Sequence, residues 1–106
     1  MPAPQPAELA EVYKAAGAPI RLRILALLAH GERCVCELHD ALDAPQPTVS
    51  RHLAVLRQAG LVQARRDASW AWYRLTEDAE LWLAPALAAW REAPPPEPCC
   101  APRSCP

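Results

Sequence analysis

No apolar run in this 106-residue chain is long enough to cross a bilayer. The longest, Ile24 to Ala29, falls far short of the about 20 residues that a spanning helix needs. Met1 to Pro6 has neither the basic cluster nor the apolar stretch of a secretory signal. Together these absences lead us to expect a soluble, cytoplasmic chain with no membrane partner. The sequence also lacks a Cys-x-x-Cys, a phosphate-cradling glycine loop, a Ser/His/Asp set and paired carboxylates suited to acid–base work. Neither an enzyme nor an organic cofactor is therefore expected. The five cysteines are odd in number, which in a reducing compartment speaks against a disulfide framework. Reduced thiols are available instead as metal ligands or redox sensors.

Charge is nearly balanced overall, at −1, but unevenly placed. Between Gln46 and Leu75, Arg51, Arg57, Arg65, Arg66 and Arg74 face one acid, Asp67. Such a local excess suits a phosphate backbone. The apolar spacing predicts a helix over Ala7 to Ala16, stopped by Gly17, and a second from Pro19 to His30, stopped by Gly31. A third is expected from Glu32 to Leu42 and a fourth from Pro47 to Ala59, with Gly60 ending it and Leu61 packing back. Leu61 to Arg66 and Trp70 to Leu75 alternate as a β-hairpin around Asp67-Ala68-Ser69, where the missing glycine suggests a longer loop. Glu77 to Glu92 forms a last helix in which Pro85 marks a kink or the true start.

The expected fold is mainly α with a β-hairpin, a winged helix-turn-helix with additional N- and C-terminal helices. Residues 1–6 are assigned to a disordered lead-in, 7–92 to one winged helix-turn-helix domain, and 93–106 to a Pro- and Cys-rich flexible tail.

With Val49, Leu53 and Leu56 inward, the fourth helix presents Gln46, Thr48, Ser50, Arg51 and His52 on its opening turns. Short hydroxyls, an amide and a guanidinium there are the groups that read base edges in a major groove. Arg65 and Arg66 end the first hairpin strand, where a wing meets phosphate or the minor groove. An amphipathic helix carrying arginine is by itself equally well a solvated face; the helix-turn-helix order and the basic hairpin tip the balance towards double-stranded DNA. His52 is equally placed to contact DNA or to bond a neighbour.

The segments Gly17 to Leu25, Cys34-Val35-Cys36-Glu37-Leu38, Gln46 to Leu56, Ala59-Gly60-Leu61-Val62 and Trp72-Tyr73-Arg74-Leu75 resemble, in order, elements of the ArsR/SmtB repressors. The resemblance spans about Glu8 to Trp90. It implies a homodimer, joined through the first and last helices, that holds an operator until a metal or metalloid binds. It departs from the family at Pro45, where a capping Ser or Thr is common, and at Ala68-Ser69, where Gly is common.

Cys34 takes the position of a helix N-cap, with Glu37 completing a capping box, although a thiol caps poorly. A helix N-terminus lowers a thiol pKa and so favours the metal-binding thiolate. At about 100° per residue, Cys34 and Cys36 would diverge on an intact helix and meet at one ion only if the first turn opens. The competing reading, that both simply pack as small apolar residues, fits poorly beside Arg33 and Glu37. Soft thiolates suit As(III) or Sb(III) as inducer, and a three-coordinate ion needs a third sulfur. Cys99, Cys100 and Cys105 supply either a complete site of their own or the third ligand, unless they are tail thiols that merely oxidise. By resemblance, His39 stands where some arsenic sensors carry a third Cys, although an exposed helix position explains it more simply. The last helix has no His, unlike zinc and nickel sensors of the family. The alternatives are a Cd(II)- or Pb(II)-responsive repressor of the same fold and, from another class, a thiol-redox or metal-carrier protein.

Overall fold

The computed structural model describes residues 5–93. Among them the order is α1 (Pro6–Ala16), α2 (Pro19–Leu28), β1 (Arg33–Cys34), α3 (Val35–Leu42), α4 (Gln46–Gln58), β2 (Val62–Asp67), β3 (Trp70–Leu75), α5 (Glu77–Trp82) and α6 (Ala84–Glu92). This is a winged helix-turn-helix, with α3 and α4 as the helix pair and β2–β3 as the wing. Proline opens several of the helices, where a fixed φ helps and the missing N–H costs no helical bond. Helix α1 begins at Pro6, one residue before the expected start.

Two expectations are corrected, the start of the third helix and the length of the wing loop, and the break expected at Pro85 is located. The third helix begins at Val35 rather than Glu32, because Arg33 and Cys34 pair with Tyr73 and Trp72 as a short third strand, giving the sheet order β1-β3-β2. The last helix is two, divided at Leu83 (φ −114°, ψ 18°). Pro85 follows in the first turn of α6, where it has no N–H to continue the α5 ladder. The wing loop is short: Asp67 pairs with Trp70, leaving Ala68 and Ser69 at the tip. Ala68 takes the positive φ, 59°, that a tight turn demands and that glycine would adopt without strain.

Helix α4 is held by Val49, Leu53 and Leu56, all fully buried with Ile24, Leu25, Leu38, Leu61 and Leu87. Burial of each such side chain contributes about 1.5–3 kcal/mol. The helix ends as its sequence predicts: Gly60 adopts φ 81°, Leu61 N–H donates to Leu56 O at 3.0 Å, and Leu61 is buried. Helix α6 is tied back by Arg91, which donates to Ala29 O at 2.8 Å and pairs with Glu80 at 2.6 Å. No helix among the described residues is long and apolar enough to cross a membrane.

Candidate nucleic-acid interface and sulfur pair

The buried stripe of α4 fixes which side chains remain outside. Gln46, Ser50 and Arg51 are exposed, and Thr48 and His52 are half-buried. Burial lowers the His52 pKa, and the nearby Arg21 and Arg51 guanidiniums lower it further. These effects favour the neutral imidazole, which can both donate and accept a hydrogen bond. Sequence reasoning missed Arg21. It lies on α2, its Nε is buried without a hydrogen-bond partner among the described residues, and its charge is felt at His52. Helical spacing cannot reveal this, because the two residues meet only when α2 packs against α4.

Arg65 and Arg66 occupy opposite faces of β2, since Arg65 pairs with Trp72 and Arg66 with Ala71. They differ in their surroundings. Arg65 donates from Nε and Nη2 to the Glu32 carboxylate at 2.9 and 2.6 Å, and its guanidinium lies 5.9 Å from the Trp72 ring centroid. The hydrogen bonds from Arg65 hold the Glu32 carboxyl below its usual range against an opposing desolvation, and those same bonds push the Arg65 pKa up. Arg66 is exposed, with no ion pair to an acid among the described residues.

The structure brings Cys34 and Cys36 together without opening a helix. Their Sγ atoms are 3.4 Å apart. The expected divergence fails because Cys34 is the N-cap, extended at φ −85° and ψ 163°, so the 100° rule does not relate it to Cys36 inside the first turn. Glu37 completes the capping box, its carboxylate accepting from Cys34 N–H at 3.2 Å, and Arg33 pairs with Glu37 at 3.8 Å. Both cysteines are buried, at 2% and 5% exposure, contrary to what their charged neighbours suggested. The cover is Trp70 and Trp72, stacked at 6.0 Å and 17° and packed against the sulfur pair. Half-buried His39 lies beside Asp40, and no third metal-ligating residue joins the pair among the described residues. Cys99, Cys100 and Cys105 lie outside the described residues.

A buried apolar stripe that presents polar side chains on α4, beside a basic hairpin, is the arrangement of a winged-helix DNA-binding protein. Residues 18–64 match the family described as bacterial regulatory protein, arsR family. The chain is 50% identical over 70 residues to an uncharacterized HTH-type transcriptional regulator of Methanocaldococcus jannaschii, covering 65% of this chain and 79% of that protein. It is 43% identical over 83 residues to the arsenical resistance operon repressor of Escherichia coli, covering 76% and 71%. Its fold is similar to the homodimeric winged helix-turn-helix DNA-binding domain of a possible ArsR-family regulator from Mycobacterium bovis, with a TM-score of 0.71, 33% identity, and 80-odd to 90-odd per cent coverage (87% and 93%). The chain belongs to the ArsR family of transcriptional repressors.

Proposed function

We propose that two copies of this chain bind an operator and release it when As(III) or Sb(III) is held by Cys34 and Cys36. The observation that carries the reading is the 3.4 Å separation of the two sulfurs. A pair this close can share one soft ion without the first turn of α3 opening. The likeness to the arsenical resistance operon repressor points the same way. Cys99, Cys100 or Cys105 would supply the third sulfur, or would form a separate site.

In this reading Gln46, Thr48, Ser50, Arg51 and His52 meet the major groove, and the wing meets the backbone through Arg66. Pairing through α1 and the C-terminal helices would cover Tyr13 and Leu81, apolar side chains about half exposed in one copy. When bound, the ion supplies a soft bridge between the sulfurs. Cys34 is at once the end of β1 and the cap of α3, so a change there is passed both to the wing strand paired with it and to the helix preceding α4. An ion that favours the low-affinity arrangement weakens operator binding by the same factor.

The test is fluorescence anisotropy of a labelled promoter fragment from the gene's own neighbourhood, with arsenite, antimonite, Cd(II) and Pb(II) in parallel. Release by arsenite and antimonite at lower concentrations than by Cd(II) or Pb(II) is expected. The opposite order would make this a divalent-cation sensor, and no binding by any form would end the repressor reading.

A further inference from the structure

Cys34, Trp72 and Arg65 form one row across the sheet, because Trp72 on β3 is the register partner of Cys34 on β1 and of Arg65 on β2. Paired residues in a sheet share a face, so Arg65 lies on the side of the wing that carries the tryptophans. Glu32, just before β1, reaches over that face to Arg65, a residue 33 positions later in the chain. The contact uses both carboxylate oxygens, the fork-to-fork geometry in which Arg also holds a phosphate. Asp67 stands 3.8 Å from the remaining amino group, and the Trp72 ring lies beneath.

We infer that Glu32 is a positioning residue for DNA binding: its carboxylate occupies the phosphate-binding fork of Arg65 and keeps that arginine from the operator backbone. The wing then meets DNA with Arg66 while Arg65 is withheld. Two adjacent arginines of the same charge contribute unequally because one has an internal competitor and the other has none among the described residues. The sequence element before β1 thus sets operator affinity without touching DNA. This rests on DNA binding by the family fold and not on the identity of the inducer. Arg74 also acts on the Glu32 charge, so the effect must be isolated to Arg65 by a double substitution.

Operator affinity is measured by anisotropy over a salt series, without arsenite, for wild type, Glu32→Gln, Arg65→Gln, the double variant and Arg66→Gln. Circular dichroism confirms the fold of each. Glu32→Gln is expected to tighten binding about two- to fivefold at low salt, the range of one exposed charge contact. It should also steepen the salt dependence by about 0.9 per phosphate gained. Adding Arg65→Gln should remove both gains, and Arg66→Gln alone should flatten the slope by about the same amount. A wild-type slope in Glu32→Gln overturns the proposal. So does a gain that survives in the double variant, since that is the loss of a repelling charge and not the release of Arg65. An unchanged arsenite response in these variants leaves the sensing reading intact, so the two ideas fail separately.

Discussion

Cys34 and Trp72 are register partners across β1 and β3, and the Trp72 indole stacks on Trp70 to cover the sulfur pair. The site proposed for the inducer is therefore roofed by part of the wing.

That contact makes the tryptophans reporters. Arsenite should change the intrinsic emission of the wild-type protein, because an ion at the sulfur pair alters the surroundings of Trp70 and Trp72. Trp70→Phe/Trp72→Phe retains Trp82 and Trp90 on the C-terminal helices and should lose the response. If the response persists in that variant, the ion binds elsewhere.

Thr76 joins three elements. Its hydroxyl accepts from Ala79 N–H at 3.1 Å as the N-cap of α5 and donates to Gly60 O at the end of α4. Thr76→Ala removes a cap and leaves a carbonyl without its partner, so urea denaturation should show a loss of about 1–2 kcal/mol. Thr76→Ser, which keeps the oxygen, should lose much less.

The wing tip carries strain that can be relieved. Ala68 sits at φ 59°, a region costing about 1–2 kcal/mol for an L residue. Part of that gain is offset by the greater freedom of glycine in the unfolded chain. Ala68→Gly should stabilise the fold by about 0.5–1 kcal/mol, measured as a raised urea midpoint with an unchanged slope. A lower midpoint would mean that Ala68 makes contacts that outweigh its backbone conformation.

His52 gives a pH dependence. Burial and the charges of Arg21 and Arg51 lower its folded-state pKa, so the unfolded chain takes up the proton first. Its contribution is present in full above the unfolded value of about 6.5 and is lost as pH falls through the depressed folded value. Between pH 7.5 and 5.5 the wild-type melting temperature should fall further than that of His52→Gln. Equal falls would contradict the shift.

The helices of this fold were legible because their signals are local: Pro19, Gly31 and Gly60 punctuate the chain, and Val49, Leu53 and Leu56 repeat at helical spacing. The paired strands were legible through alternation, but the tight tip was not, since Ala68 accepts a conformation its side chain disfavours. The β1 strand is two residues long and exists only through its pairing with Tyr73 and Trp72, so no window of sequence could display it. The contact between the sulfurs follows from the extended backbone of the Cys34 cap, to which the helical angle per residue does not apply. The Glu32–Arg65 pair and the approach of Arg21 to His52 are products of packing between distant segments. The burial of Cys34 and Cys36 beneath two tryptophans likewise could not be read from residue type.

That inducer bound at Cys34 and Cys36 weakens the hold on DNA is tested by operator anisotropy with and without arsenite. Wild type, Cys34→Ser/Cys36→Ser and Cys99→Ser/Cys100→Ser are compared. Arsenite should weaken wild-type binding by about 5- to 150-fold, the usual span of such coupling. Cys34→Ser/Cys36→Ser should bind the operator as wild type does and no longer let go. Release of that variant at wild-type arsenite concentrations, together with loss of release in Cys99→Ser/Cys100→Ser, would contradict sensing at Cys34 and Cys36 and assign it to the tail.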